Sequence, residues 1–260
     1  MCKVFDTFFL KSYLKNKTKF LAKSQKAKDF LTNKGVLFGN VCAIGVGIDA
    51  QMLTSGAQNC EEKIYLQMKK DADKLKILYI GRFEERRNIK LIFDVFSKVK
   101  HFQQNAKLYM VGTGESCYMD KMFDYARTLD IQDNIIWQER IEQRHLSKIY
   151  EMADFFLLPT EYEIFGMVLL EAMYYQTVVL TTSNGGSSTL IQDSINGIIM
   201  DQKDAQMWAE QIISIFLNTE KMHVMQQNAA KTVKESYTWD MLAFQFINEY
   251  ESLLCRGKLK

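Results

Sequence analysis

The chain has 260 residues, 47% of them hydrophobic and 25% charged, a composition that excludes a disordered polymer. No apolar run reaches the ~18 residues needed to span a bilayer, and a formal charge of +2 excludes a global field for nucleic acid. Five cysteines, odd in number and without a CxxC pair, argue against a disulfide framework or a zinc site and for free thiols in a reducing compartment.

Residues 4–10 (VFDTFFL) are apolar but short, are broken by Asp6 and lack a small-residue cleavage site, so a cytoplasmic chain is expected. Nine lysines stand against only Asp6 and Asp29 in the first 34 residues. A solvated basic face on short helices accounts for them; so does contact with anionic lipid head groups beside the 4–10 segment. A helix is expected over 25–34 and a strand over 40–46 (NVCAIGV). GVGIDA at 45–50 fits GxGxxA, but the next stretch is a poor helix, and Glu61 and Glu62 come too early for the acidic residue expected about 20 positions on. A plain turn is expected there. The polar stretch 54–74 reads as a connection, which assigns residues 1–54 and 55–260 to different domains.

From residue 75 the period changes. Apolar runs rich in β-branched and aromatic residues at 75–80, 107–111, 134–137, 155–158 and 177–181 read as buried strands. Between them Ile89, Ile92, Phe93, Phe96 and Val99 share a helical face, as do Met119, Met122, Phe123, Ala126 and Leu129. Leu146, Ile149, Tyr150 and Ala153 make a third face, and residues 166–175 a fourth helix. Alternation at this spacing predicts βαβ crossovers: an α/β fold, Rossmann-like, with helices on both faces of a parallel sheet. Helices are expected over 204–217, about 220–235 and 238–254.

Four stretches carry chemistry. GRFEERRN at 81–88 follows a strand, so Gly81 lets the backbone turn where open α/β sheets bind ligands. Arg82 and Arg87 then suit a phosphate or carboxylate clamp; surface charge on a loop is the alternative. VGTGE at 111–115 repeats the strand–turn–helix pattern and is weak alone. In EYEIFGMVLLEAM at 161–173, Gly166 is expected to open a helix that is apolar nearly all round except for Glu171. A carboxylate there needs either a basic partner from the fold or a ligand with paired hydroxyls. Glu163 precedes the same helix, where free N–H groups attract anions. SNGGSSTLIQD at 183–193 reads either as a ligand-contact loop or as a turn with a serine cap. His101, His145 and His223 have no metal spacing and no nucleophile context.

Taken in order, IGVGID, ILYIGRFEERRNIKLIFDVF, LYMVGTGE, NIIWQERI, LSKIYEMADFFLLPTEYEIFGMVLLEAM, VVLTTSNGGSSTLI and NGIIM resemble the carboxyl-terminal, donor-binding half of GT-B glycosyltransferases of family 4 (glycosyl transferases group 1). The resemblance runs from about residue 20 to 254, and Glu163 to Glu171 fits the family's E-x7-E pattern. It implies retention of anomeric configuration, a UDP- or GDP-linked hexosyl donor and no cofactor or obligatory metal. By the same resemblance Arg82 and Arg87 hold the diphosphate, with Arg87 standing where lysine is usual. Glu171 accepts from the ribose, Glu163 contacts the transferred sugar, and Phe165, Gly166 and Met167 offer backbone N–H groups. Arg140 and Ile141 border the base. The implied acceptor is a glycan or lipid-linked molecule, in bacterial-type surface polysaccharide synthesis, with no nucleic acid involved.

The family's amino-terminal domain, with its acceptor site, Gly-rich loop and usual histidine, has no match here. The expectation is therefore a chain that binds donor but transfers sugar poorly without a companion amino-terminal half. Such a partner, self-association or the inner face of the membrane would cover Phe5, Phe8, Phe9 and Phe20. A non-catalytic nucleotide-sugar-binding subunit is the alternative reading.

Overall fold

Segments such as KILYI, FFLL and VVLT leave no polar side to face water, so they form strands only inside a sheet covered on both faces. The computed structural model describes residues 18–49, 60–200 and 203–257. Within it, β3 (Lys76–Ile80), β4 (Lys107–Val111), β5 (Ile135–Gln138), β6 (Phe155–Leu158), β7 (Val178–Thr181) and β8 (Ile198–Ile199) form one sheet. Its order is β5-β4-β3-β6-β7-β8, and every pairing is parallel.

The order fixes the place of any ligand. The chain steps outward from β3 to β5, then returns to the other side of β3 as β6. Loops leaving the carboxyl ends of β3 and β6 therefore diverge around a crevice, the topological switch point of an open α/β sheet.

The crossovers are α3 (Ile89–Phe102), α4 (Ser116–Thr128), α5 (Gln143–Met152), α6 (Met167–Tyr174) and the single turn α7 (Ser187–Leu190). They are followed by α8 (Ala205–Leu217), α9 (Thr219–Ser236) and α10 (Trp239–Gly257). Helix α8 packs on α3, and α9 on α6. Ile92, Phe93 and Phe96 of α3 and Trp208 and Ile212 of α8 are all fully buried. Each such side chain contributes about 1.5–3 kcal/mol of burial, so this layer supplies much of the driving force.

Ahead of this sheet, β1 (Phe20–Ala22) and β2 (Val41–Ala43) form a separate parallel pair around α1 (Gln25–Asn33). Ser24 caps α1, its hydroxyl accepting from the Ala27 amide. Among the described residues the core of this unit is Ala22, Val36 and Val41, with Phe20, Ala27 and Leu31 packed half-buried against them. Several contacts among the described residues tie it to the larger unit, including Lys26 Nζ donating to Ser183 Oγ at 3.2 Å. The Gln25 amide donates to Thr189 Oγ1 at 2.9 Å. Ile48 exchanges backbone hydrogen bonds with the Tyr237–Trp239 junction. Lys19 pairs with Glu249 of the returning α10.

The glycines of GVGID belong to this packing. Gly45 has φ +88°, and a Cβ there would lie 3.0 Å from the Phe165 ring and 3.1 Å from Tyr237. A Cβ on Gly47 would meet the Trp239 amide at 3.0 Å.

One expectation is corrected. The stretch read as a connection contains a helix, α2 (Lys63–Lys70). Only Ile64 and Met68 mark its inner face, too brief a pattern to stand out in a polar run, yet both are fully buried, and α2 packs on α5. The short strands β1 and β8 were likewise below what alternation over two or three residues reveals. The 4–10 segment, Phe5, Phe8, Phe9, Ala50 and the 54/55 boundary lie outside the described residues.

Candidate functional site

After β3 the chain turns at Gly81, whose amide donates to the Val111 carbonyl at 2.9 Å. The segments after β3 and β4 then continue side by side, with Phe83 bridging Gly114 and the Phe83 amide donating to Thr113 O. A Cβ on Gly112 would stand 1.8 Å from Gly81 O, and one on Gly114 2.1 Å from Phe83 O. The VGTGE glycines are thus required by backbone contact. This rigid platform presents Arg82, which is exposed and forms no ion pair or side-chain hydrogen bond among the described residues.

Arg87 behaves differently. Its Nη1 lies 2.6 Å from Glu163 Oε2, and both side chains are largely buried, at 15% and 17% exposure. Its Nε is buried without a hydrogen-bond partner among the described residues. Arg87 thereby bridges the loops that leave β3 and β6, at the switch point. The same two loops are stitched by the Arg86 carbonyl, which accepts from Thr160 Oγ1 at 3.0 Å and from the Glu161 amide at 3.2 Å.

Beyond Glu163 the chain passes Gly166 at φ +81° into α6. That left-handed turn suits glycine, and a Cβ there would crowd Leu169 at 3.0 Å and Glu163 Cγ at 3.2 Å. The amides of Gly166 and Met167 have no acceptor among the described residues, so they are available at the helix start. Phe165 is buried against Tyr237, and Met167 is exposed. The Gly185–Gly186 pair lies against the backbone of 163–165: a Cβ on Gly185 would be 2.4 Å from Ile164 O, and one on Gly186 2.1 Å from Phe165 O. Ser187, buried, caps locally by accepting from the Asn184 amide at 2.8 Å. This loop buttresses the Glu163 loop.

Glu171 lies on α6 with its carboxylate accepting a hydrogen bond from the Tyr150 hydroxyl at 2.9 Å. It forms no ion pair among the described residues: of the two alternatives the sequence leaves open, the basic partner is not supplied there, and a neutral phenol donates instead. Burial pushes the Glu171 carboxyl above its ordinary range, and the Tyr150 bond offsets only part of that. Burial and the neighbouring carboxylate push the Tyr150 hydroxyl well up, so it remains a donor at neutral pH. Tyr150 reads in the sequence as one more core residue of a helical face. The signal that finds its second role is the lone acid of α6, which needs a donor from a packed neighbour.

Arg140 and Ile141 follow β5 at the far edge of the sheet. Arg140 is exposed and Ile141 buried, and no hydrogen bond or ion pair ties either side chain to Arg87, Glu163 or Glu171. Their loop is held instead by Gln138, whose Nε2 donates to Arg140 O at 3.1 Å. Next to it His145 Nδ1 lies 2.9 Å from Glu62 Oε1. Burial raises the Glu62 carboxyl, but hydrogen bonds from His145 and Gln138 outweigh it and hold the group below its usual value. Among the described residues no helix is long and apolar enough to cross a membrane.

Of the residues singled out in the sequence, the structure brings Arg87 and Glu163 into contact and leaves the Gly166 and Met167 amides open close to Glu163 in the chain. Arg82 stands unpaired among the described residues, and Glu171 pairs with Tyr150. Residues 61–232 match the family model for glycosyl transferases group 1. An uncharacterized glycosyltransferase of Methanocaldococcus jannaschii is 30% identical over 179 residues, covering 69% of this chain and 45% of that protein. The chain spans about half the length of the curated relatives it matches. Among solved structures, a Rickettsia africae glycosyltransferase superposes with a TM-score of 0.82 at 20% identity, covering 96% of this chain and 67% of that one. Anabaena HepE, solved with UDP and glucose, gives 0.76 at 15% identity, covering 97% and 68%. By its GT-B carboxyl-terminal fold and by the family match over most of its length, the chain belongs to the glycosyl transferases group 1.

Proposed function

We propose that this chain binds a nucleotide sugar and forms the donor half of a retaining glycosyltransferase that moves a hexosyl group to a glycan or lipid-linked acceptor. One observation carries the reading: Glu171, on the helix that follows the Glu163 loop, is a buried carboxylate whose only partner among the described residues is a neutral hydroxyl. Ribose hydroxyls satisfy such a carboxylate without a compensating cation. In this reading Arg82 and Arg87 meet the diphosphate, the Gly166 and Met167 amides face the phosphate or sugar, Glu163 contacts the sugar, and the segment around Arg140 and Ile141 borders the base. Charge on the leaving diphosphate is stabilised by the arginines and the helix start, while positive charge develops at the sugar. No cofactor is assigned.

Residues 1–54 belong in this reading to the acceptor-side domain and 55–260 to the donor domain. The half-length match to its relatives supports a further part of the proposal: turnover needs an amino-terminal half brought across the cleft, because positioning supplies several kcal/mol of barrier lowering. Without it the chain acts as a nucleotide-sugar-binding subunit. In this reading the protein works in the cytoplasm, and the inner face of the membrane is one of the surfaces, beside a partner or a second copy, that its amino-terminal segment could meet.

Calorimetric titration with UDP, GDP and uridine tests the donor assignment. Saturable binding of one nucleoside diphosphate, tighter than the nucleoside alone, is expected. Binding of neither diphosphate would overturn it.

A further inference from the structure

Between α1 and the loop that carries Glu163 lies an open groove of about 520 Å³. That volume is in the range of small-ligand sites. One wall is α1, through Ala27 and Phe30; the other is Tyr162 and Ile164. Phe30, Tyr162 and Ile164 are 60%, 67% and 52% exposed, so three large apolar side chains lining one groove are left open to solvent. The groove reaches Glu163 at the crevice.

Its charge is uneven. Glu163 is neutralised by Arg87, and Glu161 by Lys203. Lys26, which also lines the groove, donates to Ser183 Oγ at 3.2 Å and has no carboxylate partner among the described residues. The groove thus joins apolar walls to one uncompensated cation, beside the acid assigned to the transferred sugar.

We propose that this groove seats an amphiphilic acceptor, a lipid phosphate whose aliphatic chain lies between Phe30 and the Tyr162–Ile164 loop and whose anionic head lies at Lys26. The inference rests on the donor reading only in calling the ligand an acceptor; the groove's chemistry stands on its own residues. An uncharged glycan would leave the apolar walls wet and Lys26 unpaired, and a bare phosphate would use only Lys26.

The test is titration of the full chain with decyl phosphate below its micelle threshold, compared with decyl glucoside and inorganic phosphate. Decyl phosphate is expected to bind about tenfold or more tighter than either. Phe30→Ala and Tyr162→Ala should each weaken it about fivefold, and Lys26→Ala should erase the preference over decyl glucoside. UDP affinity should be unchanged in all three. Phe244→Ala, at an exposed site on α10, is the control for general adhesion. The proposal is overturned if the three ligands bind alike, if Phe30→Ala changes nothing, or if Phe244→Ala costs as much as Phe30→Ala. Selective decyl phosphate binding by a chain that ignores UDP would sustain the lipid-phosphate site and overturn the donor reading alone.

Discussion

The two sheets of this molecule are built to different standards. Around the six-stranded sheet the loops run backbone against backbone, and glycines stand where a single methyl group would strike a carbonyl. Around the two-stranded sheet the buried cluster among the described residues is Ala22, Val36 and Val41, and Phe30, Leu37 and Phe38 stay exposed. That cluster, with Phe20, Ala27 and Leu31 packed half-buried against it, is small beside the entropy of ordering about 30 residues, so contacts with the larger unit weigh heavily in holding it. All the candidate donor groups lie on the larger unit, where positions are over-determined; the smaller one supplies a wall of the neighbouring groove.

The largest effect expected from this contrast is at glycine. Gly112→Ala places a methyl 1.8 Å from Gly81 O, at φ +144°, and the atoms it meets are backbone rather than a flexible side chain that could yield. A loss above about 4 kcal/mol is expected, enough to prevent folding of a marginal domain. At Gly39, beside β2, a Cβ meets nothing within 4 Å, and Gly39→Ala should change stability by less than about 0.5 kcal/mol. Urea unfolding of both variants reads the difference. Similar stabilities would mean that the large unit is no more tightly determined than the small one.

Glu171 separates what the large unit needs for folding from what it holds for a ligand. Glu171→Gln should weaken nucleotide-sugar binding by about ten- to a hundredfold, equivalent to roughly 1.5–3 kcal/mol. Stability should move the other way. Because burial raises the native carboxyl above its unfolded value near 4.5, the neutral form favours folding at low pH. That contribution is lost as pH rises through the raised native value, and at neutral pH the buried charge is a cost. Glu171→Gln should therefore match or exceed the parent in thermal stability at pH 7. Donor affinity of the parent should fall as pH drops into the carboxyl range, and the variant should lack that dependence. Unchanged affinity would make Glu171 a structural residue.

Much of this was legible from residue types. The strands from 75 to 181 and the helices between them follow from apolar runs and 3.6-residue faces, because the larger sheet is buried on both sides and leaves no other pattern. Glu171 stood out as the one acid in an apolar helix. The partners did not. Tyr150 looks like any core aromatic, and the need for Gly112, Gly114, Gly185 and Gly186 arises from contacts between loops distant in sequence. Helix α2 shows only two inward residues, and the Arg87–Glu163 bridge spans 76 positions, a pairing that single-chain periodicity cannot express.

The two arginines sharpen the contrast at the site itself. Arg82 is exposed and unpaired among the described residues, so Arg82→Ala should leave unfolding within about 0.5 kcal/mol of the parent. Its loss should still weaken UDP about five- to tenfold while sparing uridine, and added salt should shrink the difference. Arg87→Ala removes the partner of a largely buried Glu163 and should lower both stability and UDP affinity. Equal losses for uridine and UDP in either variant would remove the diphosphate role.

The smallest effect is the most local. Thr189 Oγ1 accepts from the Gln25 amide at 2.9 Å and donates to Gly185 O at 2.9 Å, so one hydroxyl joins the start of α1 to the loop behind Glu163. Thr189→Val keeps the shape and removes both bonds, a change worth about 1 kcal/mol. If the small unit is held chiefly by its docking, that loss appears there first. Amide hydrogen exchange in β1, α1 and β2 should speed up about fivefold, while β3 and β4 keep the protection set by global unfolding. UDP affinity should stay within twofold of the parent, since no candidate donor group belongs to the small unit. Uniform acceleration across both sheets would show one cooperative body and end the distinction between a self-sufficient sheet and a dependent one. A matching loss of UDP binding would instead place the small unit inside the donor site.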